Sequence, residues 1–141
     1  MGEFIRENSG RNVVADISYF SEVLSATPRE RCFLAKFFNK WLEVFDRGCD
    51  HIVYGSDWIM LGKEAGYNHY IESVNAFLRS DCGLSDDICD KIFRRNALRF
   101  LPLEKGSLGR ERLLTYYRTN KLDERRLPSA SSRLVANLFG R

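Results

Sequence analysis

The chain has 141 residues, of which 44% are hydrophobic, 13% aromatic and 29% charged, and its formal net charge is +3. This composition is enough for one globular domain. Charged residues interrupt each apolar run before it reaches the roughly 18 to 20 residues that a membrane span needs, and the first residues lack the apolar segment of a secretory signal. We therefore expect a cytoplasmic protein with no membrane partner.

The four cysteines contain no CxxC pair. A chain with this much hydrophobic material does not depend on disulfides for its stability. Reduced, buried or incidental thiols are the prediction.

Residues 12–17 (NVVADI) have the length and composition of a buried strand. Thr27, Pro28 and Glu30 then supply a helix cap, a proline in the first turn and a glutamate three residues after the cap, so a helix begins here. Its apolar residues recur every three or four positions and predict one broad buried face: Phe33, Leu34, Phe37, Phe38, Trp41, Leu42 and Phe45. Gly48 is predicted to end this helix.

Residues 51–58 (HIVYGSDW) form an apolar strand that runs into a small polar turn. A helix over residues 67–79 follows, and Ser85 caps a shorter helix after it. Because both strands are apolar at most positions and a helix joins them, the pattern predicts a parallel sheet of the α/β class. Two strands cannot close a barrel and would leave exposed edges, so we expect a piece of a larger fold.

The turn Gly55-Ser56-Asp57-Trp58 is the strongest candidate for chemistry. Catalytic and binding groups of α/β folds project from the carboxyl ends of strands. An aspartate at this point suits metal ligation or proton transfer with a bound water. The alternative is that Asp57 only caps the turn that follows.

Four segments in order, residues 12–18 (NVVADIS), 54–58 (YGSDW), 84–87 (LSDD) and 96–100 (NALRF), resemble the C-terminal part of the amidohydrolase-related family. That family comprises metal-dependent hydrolases, lactonases and decarboxylases on a (β/α)8 TIM barrel. The resemblance covers about residues 1–101. It implies that residues 12–18 and 51–58 are the seventh and eighth strands of such a barrel, and that this chain is a C-terminal fragment of the enzyme.

The resemblance implies a role for four residues. Asp57 would be the catalytic residue at the divalent metal, as a ligand or as the base that orients the attacking water. Gly55 and Ser56 would allow the tight turn at the mouth of the barrel, and Ser56 and Trp58 would line the substrate pocket. The family's His-x-His has no counterpart, because the only histidines are His51 and His69, both expected to be structural or solvated.

The resemblance therefore implies a fragment of a metal-dependent hydrolase that acts on a small carboxylated or cyclic organic substrate. Zinc is the expected cofactor of the full-length parent. Three protein ligands are needed for such a site, so this chain alone is expected to hold no metal and to be inactive. Decarboxylation is the alternative chemistry. The competing hypothesis is a catalytically dead module that pairs with itself or another barrel fragment through its strand edges and aromatic helix, as a homo-oligomer.

Residues 102–141 are predicted to form a basic C-terminal extension, because they carry 9 basic and 4 acidic residues against 13 and 15 in residues 1–101. A helix is expected over residues 107–117 and poor order over residues 122–132. Basic pairs such as Arg94-Arg95 and Arg125-Arg126 lack interleaved aromatic residues. No nucleic-acid partner is therefore expected.

Overall fold

The computed structural model describes residues 1–103 and 105–127. Its strands are β1 (Ala15–Asp16) and β2 (Ile52–Val53), and its helices are α1 (Gly2–Glu7), α2 (Glu22–Ser25), α3 (Pro28–Phe45), α4 (Trp58–Leu61), α5 (Tyr70–Ala76), α6 (Asp86–Asp90), α7 (Asn96–Phe100) and α8 (Leu108–Thr119). Two 3₁₀ turns (Tyr67–His69 and Glu124–Arg126) and two π-helical segments (Phe77–Asp81 and Lys91–Arg95) complete the described elements. Among these helices, none has both the length and the apolar character that crossing a bilayer requires.

The two predicted strands are present and pair in parallel, with Ala15 opposite Ile52 and Asp16 opposite Val53. The Ala15 amide donates to the His51 carbonyl, and the Ile17 amide donates to the Val53 carbonyl. Each strand is shorter than the apolar run that predicts it. The sheet of the described residues consists of this pair, and the larger TIM barrel stays a prediction.

The outer edge of β2, which faces away from β1, is covered by the helical segment that includes α7. The Tyr54 amide donates to the Ile92 carbonyl at 2.9 Å. The Asn96 side-chain amide donates to the carbonyls of Cys49 at 2.7 Å and Ile52 at 2.8 Å. The prediction of exposed strand edges is therefore wrong for β2, because a helix supplies the partners that a neighbouring strand would otherwise provide.

Helix α3 begins where the sequence predicts. The Thr27 hydroxyl accepts from the Glu30 amide, and the Glu30 carboxylate accepts from the Thr27 amide, so the predicted capping box is confirmed. The helix ends at Phe45, three residues before Gly48. There the Asp46 carboxylate accepts from the amides of Asp50 and His51 and holds the chain as it turns towards β2.

Only part of the aromatic face of α3 is buried. Ala35 and Leu42 are buried, and Leu34, Phe38 and Trp41 pack against the core. Phe33 and Phe37, however, are each 62% exposed. Their predicted burial is wrong, because these two residues lie one step around the helix from Leu34 and Phe38 and face away from the rest of the described chain.

Three of the four cysteines are buried thiols, as predicted, whereas Cys32 is exposed. Burial raises the pKa of Cys49 to about 11 and that of Cys82 to about 12. These thiols remain protonated at neutral pH, and they serve as small apolar parts of the core.

The C-terminal extension contains the predicted helix, α8, whose N-cap is Ser107. The Arg118 guanidinium pairs with Glu124 after the helix ends, and Leu127 is buried at 6% exposure. Residues 122–127 make these contacts, and poor order over residues 122–132 stays a prediction. Residues 128–132 lie outside the described residues.

A candidate active site at the carboxyl ends of the strands

Two loops leave the sheet at the same edge because β1 and β2 are parallel. One loop follows Asp16 at the end of β1, and the other contains Gly55, Ser56, Asp57 and Trp58 after β2. We call these two loops the carboxyl edge. It is the side of an α/β sheet at which catalytic groups are usually found.

Asp16 and Gly55 meet across the two loops. The Asp16 carboxylate accepts hydrogen bonds from the Ser18 amide at 2.8 Å and the Ser18 hydroxyl at 2.9 Å. A Cβ atom on Gly55 would lie 2.6 Å and 2.9 Å from the two Asp16 carboxylate oxygens. Glycine is therefore required at this position for the carboxylate to lie against the backbone of the second loop.

Asp57 has a left-handed backbone conformation, with φ 42° and ψ 58°. Its carbonyl accepts from the amides of Met60 and Leu61, both at 2.9 Å, and so begins α4. The side chain makes no capping hydrogen bond. Its exposed carboxylate has no hydrogen-bond partner among the described residues, so Asp57 caps α4 through its backbone and not through its side chain.

Ser56 is half-buried, and Trp58 is 75% exposed. Trp58 lies in the first turn of α4, directly after Asp57. The described residues place both side chains beside the aspartate without enclosing Trp58. Their role in a substrate pocket stays a prediction.

The loop after β1 is anchored to Glu64, in the segment after α4, and to Tyr70 of α5. Tyr19, which also has a positive φ of 53°, donates its hydroxyl to Glu64 at 2.5 Å. This hydrogen bond raises the pKa of Tyr19. The Tyr70 hydroxyl accepts from the Phe20 amide at 2.8 Å. Both loops of the carboxyl edge therefore contain a non-glycine residue with positive φ, as do Cys49, Pro102 and Lys121 elsewhere in the described chain.

Tyr54 lies behind the edge, with its ring 4.9 Å from that of Phe93 and 6.0 Å from that of Tyr70. Its hydroxyl is buried without a hydrogen-bond partner among the described residues. Burial raises the pKa of Tyr54 to about 12, and Tyr70 and Glu72 add to the effect. This phenol therefore stays protonated at neutral pH.

Asp16 and Tyr70 are not among the site residues predicted from the sequence. Asp16 ends an apolar run and is followed two residues later by Ser18, a pattern typical of a side-chain turn. That pattern was the available signal for Asp16. Tyr70 offered no comparable signal, because its partner, Phe20, lies 50 residues away in the chain.

The donor set does not by itself fit a zinc centre. Asp57 provides a free carboxylate, whereas both oxygens of Asp16 already accept from Ser18. His51 is buried and bonded to the Val13 carbonyl, and His69 is exposed and contacts Asn68. Residues 1–103 and 105–127 contain no group of three histidine, cysteine or acidic side chains placed to hold a metal ion, whereas zinc sites use about three protein ligands.

The basic pair Arg94-Arg95 is engaged in ion pairs. Arg94 pairs with Asp90 at 2.9 Å, and Arg95 pairs with Asp87 at 2.6 Å and with Asp90 at 2.9 Å. These acidic partners on α6 offset the positive charge locally. The pair is therefore accounted for as part of a salt-bridged helix surface.

No protein-family model matches the chain, and no curated protein and no solved structure matches it. The resemblance of four sequence segments to amidohydrolase-related proteins therefore stays a prediction.

Proposed function

We propose that this chain is the C-terminal part of a cytoplasmic, amidohydrolase-like hydrolase and that Asp57 is its catalytic carboxylate. The observation that carries the proposal is the backbone conformation of Asp57 together with its unbonded side chain. Its backbone is held in a left-handed conformation at the end of β2, while its exposed carboxylate is left without a partner among the described residues. Residues held in sparsely populated backbone conformations are common at active sites.

The chemistry within reach of Asp57 is proton transfer. An exposed carboxylate can take the proton of a water molecule as that water's oxygen bonds to a carbonyl carbon of the substrate. The C–O or C–N bond to the leaving group then breaks, and the proton passes to the leaving group. The substrate class is a small carboxylated or cyclic organic molecule. The expected cofactor of the parent is a divalent metal, zinc in the first instance. The described residues do not complete its site.

Asp16 supports this arrangement as a positioning residue. Its carboxylate is held by Ser18 and lies against Gly55, two residues before Asp57. The close approach of this side chain to Gly55 limits the path of the loop that presents Asp57. Positioning of this kind contributes to catalysis because small displacements of a reacting group lower the rate strongly.

The test is Asp57→Asn in the natural gene product that contains these residues, supplied with zinc. Small lactones, esters and amides of carboxylic acids are the substrates, and turnover and released acid are measured. Loss of a general base lowers the rate by about a hundredfold to ten-thousandfold. Glu43→Gln on α3 is the charge-matched control, since Glu43 is exposed and contacts only the exposed Lys40. Circular dichroism checks that both variants fold.

Two results would contradict the proposal. One is turnover in Asp57→Asn that equals turnover in Glu43→Gln. The other is a wild-type gene product without hydrolytic turnover on any of these substrates. Release of carbon dioxide in place of the hydrolytic product would instead assign the decarboxylase chemistry to the same carboxylate.

A second candidate function, assembly with another copy of this chain, is favoured by Phe33 and Phe37. The two rings are exposed and in contact, with centroids 4.7 Å apart, and they lie next to an open cleft of about 940 Å³ that Phe33 and Cys32 help to line. Exposed aromatic residues of this size are typical of interaction surfaces. Sedimentation of the wild type and of Phe37→Ser tests this candidate. A wild-type monomer at all concentrations contradicts it, and a dimer lost in Phe37→Ser supports it.

A further inference from the structure

A second polar site lies at the opposite end of the strands from Asp57. A cavity of about 410 Å³ opens where the chain enters β1 and β2, and it is lined by Ser9, Gly10, Arg11, Asn12, Asp50, His51 and Arg99. None of these residues belongs to the carboxyl edge. The site can therefore be considered independently of the proposed hydrolase.

His51 is the buried component of this cavity, at 9% exposure. Its backbone amide donates to Asp46 at 2.9 Å, and its Nδ1 lies 2.8 Å from the Val13 carbonyl oxygen. A carbonyl oxygen can only accept, so Nδ1 carries the hydrogen in this bond. Nε2 is then the remaining polar atom of the ring. It has no hydrogen-bond partner among the described residues.

The charges around the cavity are mostly positive. Arg11 is exposed, and its guanidinium makes no ion pair or hydrogen bond with a described residue. Arg99 pairs with Asp50 and also donates to the Asp50 carbonyl, while Lys91 pairs with the same carboxylate at 2.8 Å. Of the residues that line the cavity, Arg11 and Arg99 are cationic and Asp50 is acidic, so the lining has one more positive than negative side chain. Lys91 and the buried Asp46, which accepts from the Asp50 and His51 amides, lie next to Asp50 but outside this lining.

We infer that this cavity binds a phosphate group, either free phosphate or the phosphate of a small monoester. The planar guanidinium of Arg11 can donate two hydrogen bonds to phosphate oxygens, and Arg99 can turn a further N–H towards them. Nε2 of His51 accepts from a P–OH group when the ring is neutral, or donates to an oxygen when the ring is protonated. The Ser9 hydroxyl lines the same cavity and provides another donor.

Titration calorimetry with inorganic phosphate at constant ionic strength tests the charged part of the site. Arg11→Gln removes one charge-assisted pair, which weakens binding by about tenfold. Arg29→Gln is the matched control, because Arg29 is also exposed and lies on α3 beside the other cleft. Equal weakening by the two variants would overturn the inference, since it would show a response to net charge alone. Absence of saturable binding to the wild type would overturn it as well.

The two histidines provide an internal comparison in the same molecule. Proton spectra recorded at fixed pH should show that phosphate moves the ring signals of His51 and leaves those of His69 in place. His51→Asn can keep a side-chain donor near Val13 while it removes Nε2, so it should weaken binding with little change in the thermal midpoint. Equal shifts of both histidines would refute the site. The dissociation constants of glycerol phosphate and inorganic phosphate then distinguish the two possible ligands. Tighter binding of glycerol phosphate indicates that the site takes a small phosphate monoester, and tighter binding of inorganic phosphate indicates that it takes the free ion.

Discussion

Asn96 offers the sharpest test of how the sheet is stabilised. The side chain is 2% exposed, and its amide donates to the carbonyls of Cys49 and Ile52. Asn96→Ala removes both donors and leaves two carbonyl oxygens at the edge of β2 without these partners. Because a buried acceptor left without a partner costs about 1–3 kcal/mol, the expected loss of stability is about 2–4 kcal/mol.

Urea unfolding followed by circular dichroism measures this loss. With a slope of about 1–3 kcal/mol per molar urea for small proteins, the midpoint should fall by about 1–2 M. Asn96→Asp should cost at least as much, because a carboxylate has no donor to offer the two carbonyls and would lie against them with its negative charge.

Two other asparagines provide graded controls. Asn39 donates one hydrogen bond to the Cys82 carbonyl at 3.0 Å, and Asn39→Ala should cost about 1 kcal/mol. Asn68 is exposed and contacts only His69, so Asn68→Ala should change stability by less than about 0.5 kcal/mol. The reasoning is refuted if Asn96→Ala unfolds at the same urea concentration as Asn68→Ala.

Two further predictions concern the candidate site. Gly55→Ala places a Cβ within 2.6 Å of Asp16, so it should destabilise the protein by about 1–3 kcal/mol. In a double-mutant cycle, adding Asp16→Ala should recover part of this loss of stability. Strictly additive effects of the two substitutions would show that the two residues are not in contact. Burial raises the pKa of Tyr54 to about 12 from its ordinary value of 10.0. The folded state therefore keeps its proton at a pH where the unfolded state loses it, so this contribution to stability is present below pH 10 and is lost as the pH rises towards 12. Tyr54→Phe should therefore reduce the fall in thermal midpoint between pH 9 and 11. Because the Tyr54 hydroxyl has no hydrogen-bond partner among the described residues, the substitution should not destabilise the protein at pH 7. An unchanged alkaline profile in Tyr54→Phe would contradict this explanation.

Helix starts could be predicted because they depend on residues close together in the chain. Thr27, Pro28 and Glu30 form their capping box within four residues, and Ser85 accepts from the Ile88 amide three residues later. Such contacts need no partner from elsewhere in the fold. The strands could be located in the same way, from short apolar runs, and their parallel pairing follows from the helix that joins them.

The position of Asp57 after β2 could be predicted from the order of a strand and a turn, but its backbone conformation and its side-chain contacts could not. The left-handed backbone and the absence of a side-chain cap result from how α4 begins. The approach of Asp16 to Gly55 also brings together residues 39 positions apart, a separation that propensity and periodicity do not address.

By itself the sequence determined the two strands, the polar turn after β2 and the helices that begin after Thr27, Ser85 and Ser107, because each of these depends on local residue types and spacing. Tertiary structure alone decided which apolar residues are buried and which buried polar groups have hydrogen-bond partners. Phe33 and Phe37 share the helical spacing of their buried neighbours yet face outwards, because no other described segment packs over them. Asn96 reaches carbonyls 44 and 47 residues away and completes the edge of the sheet. Such contacts exist only after the chain has folded, since the partner is selected by packing in space and not by distance along the sequence.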